Sequence, residues 1–96
     1  MNISFEWDET KARANVRKHG ISFEVAVRVF VDPLAVSSQD RIESGEHRWR
    51  TVGMVGGYLL VLVAHTVRHD DAEVIRIISA RRADKQERKS YEQKNS

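Results

Sequence analysis

Gly56-Gly57-Tyr58-Leu59-Leu60-Val61-Leu62-Val63-Ala64 is the stretch that decides the fold of this chain. Tyr58 to Ala64 is apolar at all seven positions, so neither face of the segment can stand in water. That is the pattern of a central strand covered on both sides. Its length is far short of the roughly 20 residues that a membrane-spanning helix needs. The preceding Gly56-Gly57 pair signals a tight hairpin, because such turns hold their central residues at positive φ, which glycine adopts without steric cost. On the amino-terminal side of that turn Glu46 to Val55 reads as the partner strand, preceded by a polar turn with Ser44-Gly45 and a strand over Leu34 to Ser38. On the other side Arg68-His69-Asp70-Asp71 reads as a turn and Glu73 to Ala80 as the last strand.

Further out the period changes. Ile3-Ser4-Phe5-Glu6-Trp7 alternates apolar and polar residues, as a short half-buried strand does. Asp8 is placed to cap a helix from Glu9 to Lys18, and Gly20 to end it in the left-handed conformation. Ser22 caps a second helix, whose Phe23, Ala26, Val27 and Phe30 form one apolar stripe. Asp32-Pro33 stops it, since the residue before proline is pushed out of the helical region. Arg82 to Gln93 favours helix but offers only Ala83 and Tyr91 as apolar anchors, which predicts a loosely attached basic helix. The sum is an α+β fold in one domain over residues 1–96: a short strand, two helices, about four antiparallel strands and a terminal basic helix.

The chain is 41% hydrophobic and 31% charged with one proline, the profile of a compact domain. Without cysteine it can form no disulfide, thiolate metal site or cysteine nucleophile. No apolar run follows a charged amino-terminal start, so the expectation is a cytoplasmic protein with no membrane contact. The net charge of +2 is unevenly spread: residues 76–96 hold seven Lys/Arg against three Asp/Glu, and the rest nine against eleven. A basic end on a near-neutral body suits a polyanion or an acidic partner, and equally a solvated terminal helix.

Val74 to Arg82 puts Arg76 inside an otherwise apolar strand, where a charge needs a partner or a cleft. Guanidinium binds phosphate in a planar two-toothed geometry; the structural alternative is an ion pair from Arg76 to Glu46 or Glu6. Strict alternation sets Arg76 and Arg81 on opposite faces, so a shared cleft would require a bulge or a strand end near Ser79. In Glu46-His47-Arg48-Trp49-Arg50, Glu46, Arg48 and Arg50 point one way, a carboxylate beside two cations that reads as a proton acceptor or as a salt-bridge ladder. Trp49, on the other face, reads as core or as a stacking platform for a base. His19 closes the first helix as a general acid, a phosphate contact or a cap on loose carbonyls. His65 and His69 have no metal-ligand spacing, and no serine elbow, Walker loop, dinucleotide fingerprint or zinc pattern occurs, so no metal or cofactor is expected.

Phe5-Glu6-Trp7-Asp8, Lys11, Asn15, Lys18-His19-Gly20-Ile21-Ser22-Phe23-Glu24, Ala26, Phe30 and Asp32-Pro33 resemble the opening of the BrnT family. Gly45-Glu46, Arg48, Gly53, Ile75-Arg76-Ile77-Ile78-Ser79-Ala80-Arg81, Glu87-Arg88 and Tyr91 resemble its second half. The resemblance implies a RelE-like toxin of a type II toxin–antitoxin module. Such a toxin cuts RNA without a metal by 2′-hydroxyl attack, blocks translation, and is neutralised by a BrnA-type ribbon-helix-helix antitoxin through which alone it meets operator DNA. It also implies a phosphate-binding last-strand segment holding Arg76; Arg76 and Arg48, whose faces can align on adjacent strands, rank first as phosphate clamps. Arg81 lies in the same phosphate-binding segment, Glu46 or His19 moves the proton, and Tyr91 stacks on or orients a base. Lys18, Arg50, Arg82 and Arg88 are the expected RNA-contacting cations. The competing reading is a non-catalytic interaction module that docks a partner protein and serves operon repression.

Overall fold

A computed structural model of the chain describes residues 2–96. Five strands, β1 (Ile3–Glu6), β2 (Val36–Glu43), β3 (Glu46–Val55), β4 (Leu59–Asp70) and β5 (Ala72–Arg82), form one sheet in the order β1-β5-β4-β3-β2. Helices α1 (Glu9–His19) and α2 (Phe23–Val27), the latter running into a 3-10 turn over Arg28–Val31, lie between β1 and β2 in the chain. Helix α3 (Lys85–Lys94) follows β5. The architecture is α+β, with β4 at the sheet centre as its apolar run requires.

Several boundaries depart from the sequence expectation. The sheet is mixed: β1 joins as a fifth strand, parallel to β5, because the two intervening helices carry the chain back to the same end. The strand expected over Leu34–Ser38 begins at Val36 and continues to Glu43, since its exposed polar half is held by pairing with β3. The turn expected over Arg68–Asp71 shrinks to Asp71 (φ 39°), and β4 runs on to Asp70.

Caps fall where the side chains demand. Asp8 accepts from the Lys11 amide at 3.1 Å, Ser22 from the Val25 amide at 3.1 Å, and Gly20 ends α1 at φ 72°. Phe23, Ala26 and Val29 meet Val61, Val63, Ile77 and Ala80 of the sheet in one core on the α1/α2 face. Asn15 ties α1 to that core by donating to the carbonyls of Ile21 and Ala80, both at 2.8 Å, and accepting from the Ala80 amide at 3.1 Å.

Helix α3 packs on the opposite face, and it is anchored, contrary to expectation. The anchors are polar: Tyr91 donates to Asp32 at 2.7 Å, Asn95 donates to the Leu34 carbonyl at 3.1 Å, and Glu87 meets two arginines of the sheet. Apolar periodicity is blind to such contacts, which explains the miss.

Candidate functional site

One irregularity in β5 decides what stands on the face away from α1 and α2. Ala64 pairs with Ser79 and His65 with Ile77, so Ile78 is an extra, bulged residue. A bulge resets the two-residue alternation. Ile75, Ile77 and Ala80 are thus all buried on the helix side, while Arg76, Ser79 and Arg81 share the other face. The bulge that a common cleft for Arg76 and Arg81 required is present.

On that face the register builds three rows. Glu6, Arg76, Thr66 and Arg48 lie in line across β1, β5, β4 and β3. The next row is Ser79, Ala64, Arg50 and Ser38, and the third Arg81, Leu62, Val52 and Val36. Arg48 and Arg76 are therefore not on adjacent strands, as the sequence reading had them, but on either side of β4, with Thr66 between. Arg68 joins Arg48, Arg50, Arg76 and Arg81 as a fifth arginine beside Glu6.

Two carboxylates organise this cluster. Glu6 accepts from Arg68 at 2.8 and 3.0 Å and from Arg76 at 3.0 Å. The Arg68 and then the Arg76 hydrogen bonds draw its pKa down to about 2. Glu87, buried under α3, accepts from Arg81 at 2.9 and 2.8 Å and from Arg50 at 2.6 Å. Burial opposes its ionisation, but the Arg81 hydrogen bonds and the Asp84 amide outweigh that and hold it below the usual carboxylate range. Arg48 has only a 3.7 Å approach to Glu43, and its buried Nε has no hydrogen-bond partner among the described residues.

The remaining expected residues scatter. Glu46 is exposed at the start of β3, on the arginine side by alternation and two residues from Arg48. Lys18 and His19 end α1, which packs on the opposite face. Arg82 pairs with Val61 and turns away from the site, and Arg88 is exposed on α3. Tyr91 is buried; burial and the hydrogen bond to Asp32 push its hydroxyl up to about 12. His47 and Trp49 face a separate concavity of about 550 Å³ on the helix side, with His65 in its wall. Among the described residues no group of three or more His, Cys, Asp or Glu is placed to hold a metal. Sequence reasoning missed Glu87, Thr66 and Arg68 as site residues. For Glu87 a signal existed, the Asp84-x-x-Glu87 capping box, but its bond to Arg50 spans 37 residues.

Helices α1 and α2 over one face of a mixed sheet, and a cluster of arginines bordered by α3 on the other, define a small α+β domain with a cationic face. A family model described as "Ribonuclease toxin, BrnT, of type II toxin-antitoxin system" matches residues 7–87, and the chain belongs to that family. The crystal structure of the Brucella abortus ribonuclease toxin BrnT is similar in fold, with a TM-score of 0.63 at 21% identity over 88% of this chain and 100% of that one. No curated protein matches the chain significantly.

Proposed function

We propose that this chain is a metal-independent endoribonuclease, acting as one toxin domain in the cytoplasm, and that the arginine face is where it cuts. The observation that carries the reading is five guanidinium groups on one open sheet face in a chain of a ribonuclease-toxin family. The ribose 2′-oxygen attacks the adjacent phosphorus and loses its proton, the bond to the 5′-oxygen breaks, and that oxygen takes a proton. The products are a 2′,3′-cyclic phosphate and a 5′-hydroxyl. Guanidinium donors stabilise the pentacovalent phosphate, whose negative charge exceeds that of the diester, and this supplies the charge neutralisation a metal would otherwise provide. Glu46, exposed beside Arg48 in β3, is our candidate proton acceptor. His19 has no part in this scheme. Cutting messages would inhibit translation, and a BrnA-type ribbon-helix-helix antitoxin would neutralise the chain by covering the same cations and would carry it to operator DNA.

A non-catalytic binding module is favoured by one observation: both carboxylates among the arginines are held ionised by them and are poor bases. Inducible expression of wild type and Arg76→Ala, with growth and RNA ends followed together, separates the readings. Growth arrest and new cyclic-phosphate ends are expected with wild type alone, with Arg76→Ala folded and inert. Arrest by a well-folded Arg76→Ala protein removes Arg76 from the site, and intact RNA beside folded wild type favours the binding module.

A further inference from the structure

The five arginines of the open face are not equivalent. Arg68 spends two nitrogens on Glu6, and Arg81 spends two on Glu87. Arg76 and Arg50 touch those same carboxylates through one nitrogen each, at 3.0 and 2.6 Å. A guanidinium carries five N–H donors in a fixed plane, so Arg50 and Arg76 keep donors for a ligand. Arg48 keeps its terminal nitrogens, which lie no closer than 3.7 Å to any carboxylate among the described residues, while its Nε is buried.

These three less committed arginines surround a floor of small side chains. Thr66 lies between Arg76 and Arg48 in the first row, and Ala64 between Ser79 and Arg50 in the second. No side-chain hydrogen bond among the described residues engages the hydroxyl of Thr66 or Ser79, although Thr66 is only 7% exposed. The Cα atoms of Arg48 and Arg76 are two strand spacings apart, about 10 Å, a gap that two arginine side chains close on one phosphate.

We propose that Arg48, Arg50 and Arg76, over the Thr66–Ala64–Ser79 floor, seat the scissile phosphodiester, and that Glu6 and Glu87, backed by Arg68 and Arg81, are positioning residues that hold the seat's guanidinium planes. This rests on the ribonuclease reading and adds to it a division between the arginines that touch RNA and those that brace. A carboxylate beside a phosphate site works against binding, since like charges repel. Its contribution is geometric: donors fixed where charge develops act on the transition state more than on the bound substrate.

The test uses Glu6→Gln and Glu87→Gln, each retaining side-chain shape. Cleavage of a short RNA gives kcat, an uncleavable 2′-O-methyl copy of that RNA gives Kd, and thermal unfolding checks the fold. The expected result is a fall in kcat of about tenfold or more with Kd unchanged or tighter, a split that general destabilisation does not produce. Arg68→Gln should behave like Glu6→Gln, whereas Arg48→Gln should weaken Kd by about tenfold. Unchanged kcat in both glutamate variants, or Kd weakening in step with kcat, overturns the bracing role while leaving the ribonuclease reading intact. Wild type that binds the oligonucleotide and cuts no RNA overturns both. Glu6, half-exposed on an edge strand, carries the test alone if Glu87→Gln does not fold.

Discussion

At the scale of single residues, position in the sheet determines what a given side chain can do. Glu6 and Glu87 are both glutamates between arginines, and the two guanidinium groups that stabilise each anion make both weaker bases than a free carboxylate. His65 is the converse case. It is 3% exposed at the sheet centre, accepts or donates one hydrogen bond with Thr51 at 2.8 Å, and burial draws its pKa down to about 4. The folded protein therefore keeps His65 neutral where an unfolded chain, with the ordinary value near 6.5, has already taken up a proton. Stability from this group is complete above pH 6.5 and is lost as pH falls toward 4, by roughly 3 kcal/mol in all. Urea unfolding at pH 7, 6 and 5 should show the loss in wild type and a flatter profile in His65→Gln. The lowered carboxylates Glu6, Asp8, Asp32 and Glu87 release their contribution only at more acid pH, below their unperturbed values of 4.5 and 3.8.

At the scale of elements, β5 and α3 act as a pair. The Ile78 bulge turns Ser79 and Arg81 onto the open face, and α3 then delivers Glu87 to Arg81 and Arg50 from above. What keeps α3 there is a polar hub. Asp32 accepts from the Met54 amide at 2.7 Å and from Tyr91 at 2.7 Å, joining the loop before β2, strand β3 and the terminal helix. Tyr91→Phe keeps the ring and removes only the donor, so it should cost about 1 to 2 kcal/mol in denaturant unfolding. If Tyr91 instead contributes by contact with RNA, the same variant should unfold like wild type and lose affinity for the uncleavable oligonucleotide. Gly53 shows the same economy in β3: a Cβ there would meet Val29 at 2.7 Å on its side chain and 2.8 Å on its carbonyl oxygen. The glycine is an allowance for close approach of the 3-10 turn to the sheet.

At the scale of the whole molecule, the sheet separates two surfaces. One carries α1, α2 and the apolar core; the other carries the arginine cluster, with α3 along one margin. Five arginines thereby stand together on one side of a chain whose net charge is only +2. Binding of single-stranded RNA should weaken linearly in a plot of log affinity against log salt, each neutralised phosphate contributing a slope of about −0.7. Three seat arginines on one scissile phosphate predict a slope of about −0.7, and each further phosphate held by other cations steepens it by about the same amount. Titration of the 2′-O-methyl oligonucleotide at four or five salt concentrations tells the two cases apart.

Local order was legible before any coordinates. The all-apolar run ending in Ala64 required a central strand, Asp8, Ser22 and Gly20 marked the helix ends, and Gly56-Gly57 marked the hairpin, because each of these rests on neighbouring backbone or on simple periodicity. The cationic residues Arg48, Arg50, Arg76 and Arg81 were legible for the same reason, as charges out of place in strands. Tertiary structure alone decided which of them meet. Pairing of β1 with β5 brings Glu6 to Arg76 across 70 residues of chain, one bulged residue reverses the side on which Arg81 emerges, and Glu87 reaches Arg50 from a helix that has almost no apolar face. Those three facts depend on strand order, register and polar contacts between distant segments. Composition and period carry no record of them, since both describe only what lies a few residues away.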